Sequence, residues 1–296
     1  MEIKTSFAGS NVWWTSDEVA LGPLKHQLSL VGYSNIVIEP KSDKAALRAV
    51  VEGQWSRAHR RLIRPVTNGY TIVREKEQSG IAGVDDPLDF DCIMSIRLQR
   101  EDLIRGPMRV VLSGKEYDRL PEEAQETILA NLNRLFQEEK KKVGREQLTR
   151  ILVRILKTDF QALQLQKNGS FYWINAKHVS AWDNIVRAVE VAWKESGSQR
   201  GILMKQNVNV DDDAIRAVAV SLREDIFRNV ELIENEVTKG EAGKRRLKTL
   251  TNQAKDLHSR INEYRSLLGP ALDELHESAS RAAKTATLAA LRGNMS

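Results

Sequence analysis

Residues 247–268 read LKTLTNQAKDLHSRINEYRSLL, and the apolar positions Leu247, Leu250, Ala254, Leu257, Ile261, Tyr264 and Leu268 follow a 3-4-3-4-3-4 spacing. That spacing keeps one seam on one side of a helix for three heptads. Gly269 and Pro270 then end the helix, glycine suiting a left-handed cap and proline the first turn of a new one. A third helix, rich in alanine, is predicted from Pro270 to Leu291.

Upstream, Asp211, Asp212 and Asp213 supply a cap and negative charge at the positive end of a helix dipole. Ile215, Val218, Leu222, Ile226, Val230, Ile233 and Val237 follow at helical spacing. Asp211–Thr238 and Glu241–Leu268 are thus two arms of 28 residues, each about 42 Å long at 1.5 Å per residue, joined at Lys239 and Gly240. The first arm holds eight acids against three bases and the second seven bases against three acids. Opposite charge and equal length predict an antiparallel hairpin. Parallel self-pairing of the second arm is disfavoured, because Arg260 would face Arg265 of the other copy. The seam residues Leu247, Leu250, Leu257, Ile261, Tyr264 and Leu268 are the expected interface.

The 296 residues, 41% of them hydrophobic, suffice for one large domain or two to three modest ones with a real core. A single cysteine, Cys92, excludes an internal disulfide and is read as a buried thiol; the five histidines at 26, 59, 178, 258 and 276 show no zinc spacing. No basic leader with an apolar run and no stretch of about 18 apolar residues occurs, so the expectation is a soluble cytoplasmic protein with no membrane partner. The net charge of +5 comes from 45 bases against 40 acids, a mixed surface on which local patches matter more than the total.

Residues 1–115 read as a mixed α/β domain. A helix is expected within Asp17–Val31, a short strand at Ile36–Ile38, and a helix capped by Ser42 from Asp43 to about Trp55. Asn68-Gly69 between Arg61–Val66 and Tyr70–Arg74 is a hairpin signal, and Phe90–Leu98 and Met108–Ser113 are further strands. Residues 116–160 form a helical connector, with one helix opened by Pro121 and another over Gln147–Phe160. Residues 161–207 follow as a β-β-α-β module: a second Asn-Gly hairpin, a helix over Val179–Glu195 with Trp182, Ile185, Val186, Val189 and Trp193 on its packed face, and a strand at Gly201–Gln206. Such a module is too small to cover both sheet faces and must lean on another part of the chain. Residues 208–296 complete the chain as the helical region. Trp13 and Trp14 point to opposite sides of an extended segment; the pair is read as core, with exposure of one of them at a contact surface as the alternative.

The run Gly169-Ser170-Phe171-Tyr172-Trp173-Ile174, followed by a helix, a strand and a helical tail, resembles functionally uncharacterised proteins of about 300 residues from bacteria and their phages. The resemblance covers the second half and implies a phage or mobile-element accessory protein, without an activity.

Three constellations bear on function. Arg57, His59, Arg60, Arg61 and Arg64 flank the first hairpin without an intervening acid, and Lys244, Arg245, Arg246 and Lys248 make a second basic patch; both suit nucleic-acid phosphates. Trp55, next to the first patch, is read as anchoring its helix on the hairpin. Asp85, Asp86, Asp89 and Asp91 precede or enter a strand, and Asp89 and Asp91 fall on one face, as a divalent metal requires. This pair resembles the paired-aspartate strand of nucleotidyltransferases, although Ser79-Gly80-Ile81 departs from that family's hydrophobic-Gly-Ser turn and Met108–Ser113 offers no third carboxylate. No nucleophile elbow, phosphate-binding glycine loop, dinucleotide fingerprint or zinc-protease helix is present.

The sequence therefore predicts an α+β protein: two small mixed α/β modules joined by helices, with a C-terminal antiparallel helical hairpin or three-helix bundle. The leading functional expectation is a non-enzymatic interaction or assembly protein without a cofactor, binding a protein partner or forming a homo-oligomer through its C-terminal helices. The alternatives are a nucleic-acid-binding accessory protein and a metal-dependent nucleotidyltransferase-like enzyme using Asp89 and Asp91.

Overall fold

The computed structural model describes residues 7–55, 61–75, 90–100, 107–165, 169–198, 200–209, 212–239 and 243–295. The class is α+β, with antiparallel sheets, helices packed on them and a helical C-terminal region.

The strands are β1 (Phe7–Thr15), β2 (Val19–Ala20), β3 (Arg61–Val66), β4 (Gly69–Glu75), β5 (Phe90–Arg100), β6 (Met108–Ser113), β7 (Lys142–Val143), β8 (Leu163–Gln164), β9 (Tyr172–Asn175) and β10 (Ile202–Asn209). The helices are α1 (Leu21–Leu30), α2 (Asp43–Trp55), α3 (Glu122–Lys140), α4 (Arg145–Thr158), α5 (Ala176–Glu195), α6 (Asp212–Thr238), α7 (Lys244–Leu268) and α8 (Asp273–Met295).

The first core lies under the sheet ordered β10-β1-β9-β8. Val12 and Trp14 of β1 meet Leu24 and Leu28 of α1, Leu148, Leu152 and Ile155 of α4, and Trp182, Ile185 and Val189 of α5, all buried. Strand β1 thus joins residues 161–207 as a central strand, paired antiparallel with both β10 and β9. The segment 1–115 is accordingly divided between two cores. The pairing that divides it, Trp14 with Leu203, spans about two thirds of the chain, and no local pattern encodes it. Ile36–Ile38, expected as a strand, forms no ladder; Ile38 is buried in this core instead.

The second core is an insert. The meander β3-β4-β5-β6 carries α2 and α3 on one face, with Leu47 and Val51 of α2, Ile72, Ile96 and Val110 of the sheet, and Phe136 of α3 at its centre. Asn68 takes φ 57° before Gly69, as the two-residue turn requires, and the Ser42 hydroxyl accepts from the Ala45 amide at the start of α2. Trp55 packs against this core, half-buried. A bulge turns Cys92 outward. Ile72 pairs with Met94 but Val73 pairs with Cys92, leaving Ile93 as the extra residue. Strict alternation from Met94 and Ile96 would bury the thiol, yet it is exposed.

The insert leaves and rejoins the base at one place. The Lys41 amide donates to the Lys142 carbonyl at 2.8 Å, so entering and leaving chains run side by side. The buried Lys41 ammonium reaches Glu18 at 2.6 Å and Glu139 at 2.5 Å. Burial acts to raise the Glu139 carboxyl, but hydrogen bonds from Lys142 and Lys41 outweigh it and hold it below its ordinary range.

The third core is the three-helix bundle α6–α7–α8. Asp225 pairs with Arg260 and Glu236 with Arg246, so numbers rise on one arm as they fall on the other, the signature of an antiparallel hairpin. Arg281 of α8 reaches Glu234 at 3.2 Å. Gly269 stops α7 with φ 55°, and a 3-10 turn, Gly269–Leu272, leads into α8. Ala279, Ala282 and Ala286 are fully buried, and their small side chains let α8 lie close to its neighbours.

Candidate functional site

The residues expected at an interface are used inside the chain. Leu247, Leu250, Leu257, Ile261, Tyr264 and Leu268 are 0–8% exposed and pack with Leu222, Ile226, Ile233, Leu275 and Ala279 of α6 and α8. The seam therefore offers no surface to a partner. The correction has a simple cause: the alanine-rich α8, which carries little apolar bulk, closes the groove that two helices alone would leave open. The base end of the seam is closed by Trp173, whose ring centroid lies 5.4 Å from that of Tyr264, while the Tyr264 hydroxyl donates to the Gln161 carbonyl at 2.8 Å.

Of the predicted phosphate contacts, Arg57 and Arg60 lie outside the described residues, as does His59. The backbone of Arg61 stands opposite Arg74 at the outer edge of the insert sheet, and Arg64 is exposed on the neighbouring register position of the same strand face as Val66. In the second patch Arg246 is bound to Glu236, whereas Arg245 and Lys248 are exposed; the side chain of Lys244 is not among those described. Asp85, Asp86 and Asp89 also lie outside the described residues. Asp91 is exposed and sits opposite Arg74, and among the described residues no three His, Cys, Asp or Glu side chains are grouped to hold a metal ion.

What sequence reasoning misses is the state of the sheet edges. An unpaired edge presents a row of free amides and carbonyls, and proteins usually block it. Strand β6 is blocked by Asn133 of α3, whose carboxamide accepts from the Val110 amide at 2.8 Å and donates to the Val110 carbonyl at 3.2 Å. Strand β3 carries Pro65, which has no amide to offer. Strand β8 has two residues and lies under α6. Strand β10 differs: eight residues long, it pairs on one side with β1, and among the described residues nothing pairs with its other side.

The face beside that edge is apolar toward its Ile202 end, beyond the pair Asn11 and Gln206. Met204 stands opposite Trp13 and Ile202 opposite Thr15. Trp13 is half-buried and its ring lies 5.5 Å from Phe171, while its neighbour Trp14 is buried on the opposite side at 6% exposure. Ile202 is 52% exposed. The bundle covers the adjoining Trp173 and stops short of this row.

Two histidines make the bundle and its seat sensitive to acid. His178 of α5 stacks on Phe160 and meets Glu263 of α7 at 3.2 Å; burial, reinforced by Lys177 and opposed by Glu263, holds it below its usual 6.5. His258, ring to ring with His276 across α7 and α8, is lowered by burial and then by that neighbour. Because both are depressed in the folded state, the unfolded chain binds protons more readily below about pH 6.5, and stability falls as pH drops from there. Urea midpoints are expected to decrease between pH 7.5 and 5.0, and a His178→Gln, His258→Gln double variant to flatten that part of the profile. An unchanged slope in the double variant would refute the assignment.

Among the described residues no helix is long and apolar enough to cross a membrane. No curated protein and no solved structure matches the chain. Residues 8–293 match the model of DUF6744, a family of unknown function, so the sheet, the insert and the bundle all fall within one family unit and the chain belongs to that family.

Proposed function

We propose that this is a non-enzymatic assembly protein that binds a second copy of itself through β10. The observation that carries the reading is the contrast among the edges: β3, β6 and β8 are each obstructed, and among the described residues nothing obstructs β10, the longer of the two base-sheet edges. The resemblance of the chain from Gly169 onward to uncharacterised bacterial and phage proteins supports placing that assembly in a phage or mobile element.

The register is dictated by the side chains. Antiparallel pairing about Gln206 sets Met204 against Val208 of the second copy and Lys205 against Asn207. Pairing about Lys205 would set that lysine against itself, and like charges directly opposite are destabilising. The first register also runs the row of Phe171, Trp13 and Met204 into Val208 of the second copy, and does so twice about a two-fold axis, the commonest symmetry of soluble oligomers.

Light scattering should give twice the 33.5 kDa chain mass. A Met204→Lys, Val208→Lys variant, which places lysine against lysine at both pairs, is expected to weaken association by about tenfold or more. Wild type that stays monomeric at high protein concentration, or a variant that dimerises unchanged, would refute the proposal.

A further inference from the structure

The outer face of the insert sheet, on the side away from α2 and α3, carries arginines on three of its strands. The ladder registers place them. Arg64 of β3 stands in the row Arg64, Thr71, Ser95, Ser113; Arg97 of β5 in the next row with Val66, Gly69 and Val111; and Arg109 of β6 in the row after that, opposite Gln99. The three form one diagonal, about 20 Å from end to end at strand and residue spacings of about 4.8 and 3.4 Å. All three are exposed.

The floor between them is low and uncharged. Ser95 is buried and accepts from the Arg97 guanidinium at 3.2 Å, which holds that side chain over the sheet. At Gly69 a Cβ would meet the Ile96 carbonyl at 2.1 Å, so this position stays bare. Asp91 stands opposite Arg74 on the other parity, and Glu75 has outer-face parity but stands at the far end of β4, opposite Phe90. Among the described helices, α2 and α3 pack on this sheet, both from the other side.

We infer that this face binds the phosphodiester backbone of nucleic acid. Charge complementarity selects that partner: a flat face with a row of guanidiniums fits a regularly spaced polyanion, and arginine presents a planar fork of donors to phosphate. Thr71, Ser95, Val66 and Val111 on the floor are aliphatic or small and polar, which favours contact with the backbone over stacking of bases. Arg64, at the edge of the first hairpin, is one end of the line; Arg97 and Arg109 lie in strands whose local sequence carries no basic cluster.

The test uses the full chain and fluorescence anisotropy with labelled single-stranded and duplex oligonucleotides of mixed sequence. Binding should weaken with salt at a log–log slope of about −2 to −3, as three phosphate contacts require. An Arg64→Ala, Arg97→Ala, Arg109→Ala variant should lose about tenfold per removed arginine at about 50 mM salt, with a thermal melt lowered by a few degrees at most, since all three are exposed and Arg97 gives up its bond to Ser95. Whichever of the two oligonucleotides binds more tightly identifies the form of nucleic acid. The inference fails if neither binds, if the triple variant binds as wild type does, or if binding is lost instead in an Arg245→Ala, Lys248→Ala variant at the tip of the bundle.

Discussion

Lys41→Met is expected to cost about 3–5 kcal/mol of stability, the usual effect of removing one partner of a buried ion pair. Lys41 is 8% exposed and answers two carboxylates, Glu18 and Glu139. Methionine fills much the same volume, so the loss reports charge and not a cavity. Among the described residues Glu139 then keeps Lys142, which is itself partly solvated. A Lys41→Met, Glu139→Leu double variant removes both ends of the more buried pair and should recover most of the loss, since apolar replacements of such pairs are often neutral. Denaturant titration of the four proteins of this cycle measures the coupling. A single variant within about 1 kcal/mol of wild type would mean that the site is wetter than its exposure indicates.

The position of that ion pair explains why the effect should reach beyond one contact. Lys41 and Lys142 flank the point where the insert joins the base, and their main chains are hydrogen-bonded. Releasing the ammonium frees the base of α2 and the end of α3 together. Hydrogen exchange in the Lys41 variant should therefore rise first at residues 41–46 and 136–143.

The sequence made the local elements readable and left the long-range ones out of reach. Asn68-Gly69, Ser42 before α2 and Pro121 before α3 each act within four residues, and each marks an element close to its observed bounds. The charge asymmetry of the arms likewise identifies the hairpin, because Asp225 and Arg260 lie across a single turn. Strand β1 was legible only as an extended segment with a tryptophan on each side. Its partners are fixed by the shape of the base core, in which Val12 and Trp14 fill the space between α1, α4 and α5. The bulge at Ile93 is equally silent in the sequence, and it decides the fate of Cys92.

The surfaces obey the same division. A heptad seam advertises apolar residues that need covering, but does not say whether the cover comes from the same chain. Here α6 and α8 supply it, so Leu250 and Leu257 are core residues. Exposed sites of the opposite kind were hidden, because an open sheet edge is defined by what fails to cover it. Asn133 reads as an ordinary helix residue until its carboxamide is seen on Val110.

Trp173→Ala should have the other large effect, about 3–5 kcal/mol, because truncating a buried tryptophan forfeits transfer energy and leaves a cavity. The consequence for cooperativity is more informative than the loss itself. Trp173 is 2% exposed and belongs to the bundle's core, together with Ala8 and Leu163 of the base sheet, so it is the largest of the side chains by which that sheet enters the bundle. Its indole rests on Gly9, where an added Cβ would lie 2.6 Å from the ring, and against Tyr264 on the other side. With that contact intact, base and bundle should unfold together in denaturant. Without it, the bundle retains its own seam from Leu247 to Ile261 and should separate as a second transition, visible when far-ultraviolet dichroism is compared with tryptophan fluorescence. Leu257→Ala, placed within the bundle and away from the sheet, should lose about 2–5 kcal/mol without making the base transition separate from the wild-type one in fluorescence. If Trp173→Ala unfolds in one step with both probes coincident, the base and bundle are held together by the ion pairs Lys177–Glu263 and His178–Glu263 more than by the aromatic contact.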